Sequence, residues 1–270
     1  MRGASRGSFR EAREQLATLA ADPAAATTLG EELFAVLGVL DREPALRRTL
    51  TDATSPAGAR TGLVRGLLGG RVSRPALDLL AGMAAARWST SRDFTGAVEQ
   101  LGVLATVAGA VSGSQLEDVE DELFRFGRIA SGQPELYAAL AGPRLPADRK
   151  RGLVEALLSG KVSQASLRLV TQAVTHPRGR SLEVNLMDYA RLAAEWRQRL
   201  IAVVRVAASL TGAQRERLAA ALRASYGRGI QLNVIVDPQV VGGMSIQIGD
   251  EFIDGTLSTR LATLRRRLAA

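Results

Sequence analysis

The sequence predicts a mostly α-helical chain, with two tandem antiparallel helical bundles followed by a small α/β domain. Three observations carry this. Shifting the sequence by 90 positions lays GLVRGLLGGRVSRPALDL (62–79) over GLVEALLSGKVSQASLRL (152–169) without a gap, with 10 of 18 pairs identical. Within each copy the apolar residues recur at helical spacing. Beyond residue 200, β-branched residues begin to alternate with polar ones, the period of a strand. The expected divisions are a first bundle over 1–105, a second over 106–200 and the α/β domain over 201–270.

The first element is a helix near Ser8, because Ser8 and Glu11 have the spacing of a capping box. Leu29, Leu33, Val36 and Leu40 then line one helix face, and Val119, Leu123, Phe126 and Ala130 repeat that stripe 90 residues on. Pro44 and Pro134 interrupt these helices, since proline lacks a donor and clashes with the preceding turn. Leu63-Val64 with Leu67-Leu68 form a second buried face, and Leu77, Leu80 and Ala84 a third. A constant offset over this distance marks duplication of one structural unit, each copy a bundle with short connections.

The repeat also decides how SGKVS (159–163) is read. It resembles the end of a phosphate-binding loop, but the required GxxxxGK[ST] is missing and the first copy has GGRVS (69–73). A glycine, a basic residue and then Val-Ser suit a helix C-terminus and the start of the next helix.

After 180, SLEVNLMDYARLAAEWRQRL is helical and IAVVRVAASL is a strand. Thr211 with Gln214 opens another helix, and IQLNVIVDP is a strand stopped by Asp237-Pro238. Met244, Ile246 and Ile248 alternate with Ser245 and Gln247 as a half-buried strand. Gly249-Asp250 fits a two-residue hairpin turn, Glu251 to Asp254 return, and Asp254-Gly255 lead into a last helix. That helix carries Leu257, Leu261, Leu264 and Leu268 on one face, with Arg260 and Arg265 elsewhere. Gly242-Gly243 allow a bulge or close backbone approach. These glycines lead into a strand rather than a helix N-terminus, so they do not form a phosphate loop. Asp250, Glu251 and Asp254 lack EF-hand spacing and are read as turn acids.

Composition narrows the functional classes. The chain has no cysteine and one histidine, His176, beside a proline and read as a loop residue. Thiolate zinc sites, cysteine nucleophiles and histidine clusters are therefore excluded, and no nucleophile–base–orienter set suggests an enzyme. The longest uncharged run, Leu101 to Leu116, is too short and too polar to span a bilayer. The net charge is +8, divided about +2, +1 and +5 over 1–110, 111–178 and 179–270. Such a surface favours an acidic partner. A basic helical nucleic-acid-binding protein is the competing class, but no recognition helix or interleaved stacking aromatics accompany the charge.

The stretch VDPQVVGGMSIQIGDEFIDGTLSTRLATLRRRL (236–268) resembles the C-terminal signature of the delta subunit of F-type ATP synthases. This family includes the mitochondrial oligomycin-sensitivity-conferring protein. The matching positions are Asp237, Pro238, Gly242, Gly243, Gly249, Asp250, Asp254 and Gly255, with Thr256 where serine is usual. KRGLVEALLSGKVSQASLRLV resembles the family's helical domain, and the duplicated helical region looks like the actinobacterial version. The resemblance implies a stator component without catalytic residues, cofactor, metal or small-molecule substrate, one copy per complex. The implied partners are the N-terminal helices of alpha subunits, at the helical region, and subunit b, at the C-terminal domain. Nucleic acid is not among them. The implied location is the cytoplasmic face of a bacterial membrane, held there through the complex, and the terminal leucines and arginines are the candidate interface residues.

Overall fold

The computed structural model describes residues 3–110, 115–199, 201–226, 230–237, 240, 242–248 and 251–255. The first copy of the repeat contains α2 (Pro23–Arg42), α3 (Pro44–Thr51), α4 (Ala57–Leu68) and α5 (Arg74–Ala85), preceded by α1 (Ala4–Leu19) and followed by α6 (Ser91–Gly109). The second contains α7 (Gln115–Gly132), α8 (Pro134–Ala141), α9 (Ala147–Leu158) and α10 (Gln164–Thr175), followed by α11 (Leu182–Arg199). The α3, α4 and α5 helices have counterparts starting 90 residues later, as the repeat requires. Pro44 and Pro134 each occupy the first turn of a helix, where the missing N–H costs nothing.

The repeat holds at the level of single side chains. Gly70 and Gly160 both adopt positive φ, 73° and 72°, where glycine carries no Cβ penalty. Ser73 and Ser163 then cap α5 and α10. Each serine is gripped by a glutamate from the long helix of its own copy. Glu32 accepts from Ser73 N and Oγ, both at 2.6 Å, and Glu122 from Ser163 N at 3.0 Å and Oγ at 2.8 Å. Two buried cations also correspond. Arg60 donates to the Ala85 and Ala86 carbonyls at the C-terminus of α5, and Lys150 takes its place 90 residues on. Substituting Ser73→Ala or Ser163→Ala is expected to lower stability by about 1 kcal/mol in either copy, read from urea unfolding midpoints. A strongly unequal pair would show that the copies do not use the cap alike.

The start of α1 departs from the sequence expectation. The helix begins about a turn before Ser8, whose hydroxyl donates to the Arg87 carbonyl at 2.7 Å instead of capping. A tertiary acceptor has displaced the local capping role. Leu67, expected on a buried face, is 43% exposed.

α6 is the centre of the helical unit. Residues Leu101 through Ala108 are all buried, so no face of this stretch meets water. It packs on α1, α2 and α3 of the first bundle and on α10 of the second, and its Glu99 is bonded by Tyr189 of α11. One helix therefore serves both bundles, and position 105, the expected limit between them, lies inside it. The α2–α6 crossing is close because both helices present glycine. A Cβ at Gly30 would lie 2.6 Å from Thr106 Oγ1, and one at Gly102 would lie 2.8 Å from the Phe34 ring. Among the described residues α2 is also long and apolar enough to cross a bilayer. Here its apolar face is part of the core.

The chain divides into two compact units, Met1–Ala194 and Glu195–Ala270. The second holds β1 (Ile201–Val206), α12 (Gly212–Tyr226), β2 (Gln231–Val236), β3 (Met244–Ile248) and β4 (Glu251–Asp254). The sheet order is β2-β1-β3-β4. β1 and β2 are parallel and joined through α12, and the other pairs are antiparallel. Ala202, Val204, Val206, Ile246 and Ile248 share one sheet face and form a core with Leu222 of α12. The expected capping box is present: Gln214 N donates to Thr211 Oγ1 at 3.3 Å, and Thr211 N to Gln214 Oε1 at 2.8 Å. Ser245, expected on the wet side of its strand, is 8% exposed.

Candidate partner interface

The clearest concave apolar surface lies in the first bundle. A cleft of about 350 Å³ opens between α2, α3 and α4. Its floor is Val36, Leu40, Leu50, Val64, Leu80 and Phe94, each no more than 6% exposed. Val39 and Leu67, 37% and 43% exposed, stand at its rim with Leu46 and Leu68. Helical spacing places these side chains. Val36, Val39 and Leu40 come from adjacent turns of α2, Leu46 and Leu50 are one turn apart on α3, and Leu67 projects from the last turn of α4. Glu43 and Arg71 add one charge of each sign. The residues are suited to seat an apolar helix stripe, and they offer no nucleophile or proton-transfer pair.

The second bundle repeats this division between floor and rim. Ala130, Leu140, Val154 and Val170, the counterparts of Leu40, Leu50, Val64 and Leu80, are buried, while Ile129, the counterpart of Val39, is 55% exposed. Leu136 and Leu157 are half-buried. Arg71 is answered by Lys161 and Glu43 by Gln133. Phe94 is the floor position that changes most, its counterpart Val184 being 42% exposed.

Between the bundles lies a buried ionic cluster. Glu99 of α6, 3% exposed, accepts from Arg178 Nη1 at 2.7 Å, from Tyr189 OH at 2.7 Å and from Arg180. Arg178 also pairs with Asp41 of α2 at 3.2 Å and donates to Thr95 Oγ1 at 2.6 Å. It does so from a left-handed backbone, φ 52°, followed by Gly179 at φ 75°. Such a conformation costs about 1–2 kcal/mol in a non-glycine residue, and the three-way grip on the guanidinium offsets it. Burial, reinforced by the Glu99 charge, raises the Tyr189 phenol well above its ordinary range, so it remains a donor at neutral pH.

His176 ends α10 beside this cluster, half-buried, with Nδ1 2.9 Å from Thr175 Oγ1. Burial lowers its pKa from the ordinary 6.5. The unfolded chain therefore takes up this proton first as the pH falls. The contribution of neutral His176 is complete above about pH 6.5 and is lost as the pH falls through that value toward the lower folded one. Urea midpoints at pH 7.5 and 5.5 should accordingly differ more for the native chain than for His176→Gln. An equal difference would remove the histidine from the explanation.

In the second unit several of the signature residues have a defined backbone geometry. Asp237 N donates to the Val206 carbonyl at 2.8 Å, and its own carbonyl accepts from Val240 N at 3.1 Å. Gly242 and Gly243 have φ of 64° and 81°, which side-chain-bearing residues avoid. Asp254 pairs with Ser245 across the β3–β4 ladder, and Gly255 N donates to the Met244 carbonyl at 3.0 Å. Pro238, Gly249 and Asp250 lie outside the described residues. So do Leu257, Arg260, Leu261, Leu264, Arg265 and Leu268. Among the described residues no group of three acidic or histidine side chains could hold a metal ion.

The ionic cluster was not found by sequence reasoning. Glu99, a lone acid in the apolar run GAVEQLGVL, and the paired arginines of HPRGR were the available signal.

The family model for "ATP synthase delta (OSCP) subunit" matches residues 103–268. The chain belongs to this family. The Thermobifida fusca ATP synthase subunit delta is 52% identical over 270 residues, with all of both chains covered. Its counterpart in Streptomyces avermitilis is 47% identical over 269 residues, covering 99% of this chain and 98% of that one. That of Acidothermus cellulolyticus is 45% identical over 274 residues, with both chains fully covered. The matched family span starts within α6 and takes in the second bundle and the sheet unit. In this delta-family chain α1 to α5 precede it, and the relatives align across that portion as well.

Proposed function

We propose that this chain is the non-catalytic stator subunit of the peripheral stalk of an F-type proton-translocating ATP synthase. In this role it joins the catalytic head to subunit b, so that the head does not turn with the rotor. End-to-end similarity to ATP synthase delta subunits carries this reading. The helical region (1–105 and 106–200) receives N-terminal helices of alpha subunits, and the domain over 201–270 holds the end of subunit b. Helix-in-groove packing is the expected mode for alpha, because the helical unit offers an apolar cleft between α2, α3 and α4. Two modest contacts on one chain reinforce each other through effective concentration, which suits a joint under sustained torque. The positive excess beyond residue 178 complements acidic stretches of a b helix and assists orientation more than affinity. The chain works at the cytoplasmic face of the membrane, one copy per complex, without a cofactor.

The test is native mass spectrometry of gently solubilised membranes carrying the tagged chain at its native level. Alpha, beta and b-type subunits should co-purify with one copy of it. Recovery of an intact synthase lacking the chain, from the same membranes, would refute the proposal.

A further inference from the structure

We infer that a polar cavity between the two bundles is a site for inorganic phosphate, an oxyanion that still carries a proton near neutrality. The inference stands on the cavity's own side chains and is independent of the stator role.

The cavity, of about 510 Å³, opens where the end of α2, the helix α3, the start of α6 and the α10–α11 loop meet. Its charged lining is Arg47, Arg92, Arg178 and Asp41, with Thr95 and His176 beside them. Three guanidinium groups face one carboxylate there. Glu99, behind Arg178, balances one more, so positive charge remains in excess. The three arginines are held in different degrees. Arg178 is spent on Glu99, Asp41 and Thr95, and it supplies field rather than free donors. Arg47 gives only Nη1, to the Leu40 and Asp41 carbonyls at 2.7 and 3.0 Å. That anchors its planar fork to the end of α2 and leaves Nε and Nη2 without partners among the described residues. The Arg92 side chain is exposed and has no hydrogen bond or ion pair among the described residues. A fixed fork and a free one on the same cavity suit a tetrahedral oxyanion, which guanidinium groups grip through paired N–H donors.

The acceptors choose among oxyanions. Asp41 Oδ2 is engaged by Arg178 at 3.2 Å, whereas Oδ1 lies 3.9 Å from Arg47 Nη1, beyond hydrogen-bond reach. His176 adds a second acceptor. Thr175 Oγ1 gives its only proton to the Thr171 carbonyl at 2.6 Å, so at 2.9 Å it accepts from His176 Nδ1. The neutral imidazole therefore bears its lone pair at Nε2, which has no partner among the described residues. Two open acceptors beside guanidinium groups oppose a fully deprotonated oxyanion and bond to one with a P–OH. Inorganic phosphate carries that proton at neutral pH, and sulfate does not.

The full-length chain is titrated calorimetrically with sodium phosphate at neutral pH and constant ionic strength, with sulfate and ADP as comparators. One saturable phosphate site is expected, with sulfate weaker by about tenfold, the worth of one charge-assisted hydrogen bond. Arg92→Gln should weaken phosphate by about tenfold for the same reason. Arg48→Gln, at an exposed arginine outside the cavity lining, should leave it unchanged. Asp41→Asn replaces an acceptor-only group with one that can also donate, and it should narrow the ratio between phosphate and sulfate. Circular dichroism verifies that the variants fold. The Arg92→Gln result and the sulfate ratio decide the question even if Asp41→Asn is too unstable to titrate. Absence of a saturable phosphate site, equal affinity for sulfate, or equal losses in the Arg92 and Arg48 variants overturns the inference. Tighter binding of ADP than of phosphate overturns it too, because a phosphate ester is largely without that proton at neutral pH.

Discussion

Glu99→Ala is expected to destabilise the helical unit by about 3–5 kcal/mol, the usual consequence of removing one partner from a buried ion pair. The substitution leaves Arg178 without its closest counter-charge and Tyr189 OH without its acceptor. Arg180, with its side chain 32% exposed, can recover water, which places the effect toward the lower end of that range. Glu99→Gln keeps an acceptor at the same place and should cost less. The measurement is urea unfolding followed by circular dichroism, with the midpoint falling and the slope retained. Because the cluster joins α2, α6, the α10–α11 loop and α11, its loss should also separate the transitions of the two bundles. A variant as stable as the native chain, with one unchanged transition, would mean that apolar packing on α6 alone unites them.

The second large effect is expected at the α2–α6 crossing. Gly30→Ala places a Cβ 2.6 Å from Thr106 Oγ1 and 3.0 Å from Thr106 N. The backbone nitrogen cannot rotate away, so α2 must move off α6. Overpacking of this kind costs about 1–3 kcal/mol, against a helix-propensity gain for alanine of roughly 0.5–1 kcal/mol. Gly66→Ala is the matched control. It lies inside α4 with open space around its missing Cβ, and here the propensity term should act alone, stabilising by about 0.5–1 kcal/mol. If both substitutions stabilise, the crossing is looser than its geometry implies. Thr106→Ala added to Gly30→Ala should recover only part of the loss, since the contact with Thr106 N persists.

These two sites also show where sequence reasoning ends. Gly30 and Glu99 are unremarkable in the linear pattern, one a weak helix former and the other a single acid in an apolar stretch. Their importance arises from residues 76 and 79 positions away, Thr106 and Arg178. The same holds for Leu67, which helical periodicity assigns to a buried face but which the arrangement of α2, α3 and α4 leaves at the edge of a cleft. Periodicity reports the side of a helix on which a residue lies. It does not report whether a neighbouring helix covers that side completely.

By itself the sequence determined the local elements and their repetition. Helical and strand periods, proline positions, the Thr211–Gln214 cap and the 90-residue offset are set by interactions among nearby residues, so they can be read without coordinates. The glycine pair at 242–243 belongs with them, because positive φ is a property of the residue's own backbone. Only the tertiary structure decided that α6 is shared, that the two bundles form one unit, and that rim leucines stay open while floor leucines close. Those outcomes depend on which surfaces meet across long stretches of chain. The same apolar side chain is core or docking surface according to what packs above it.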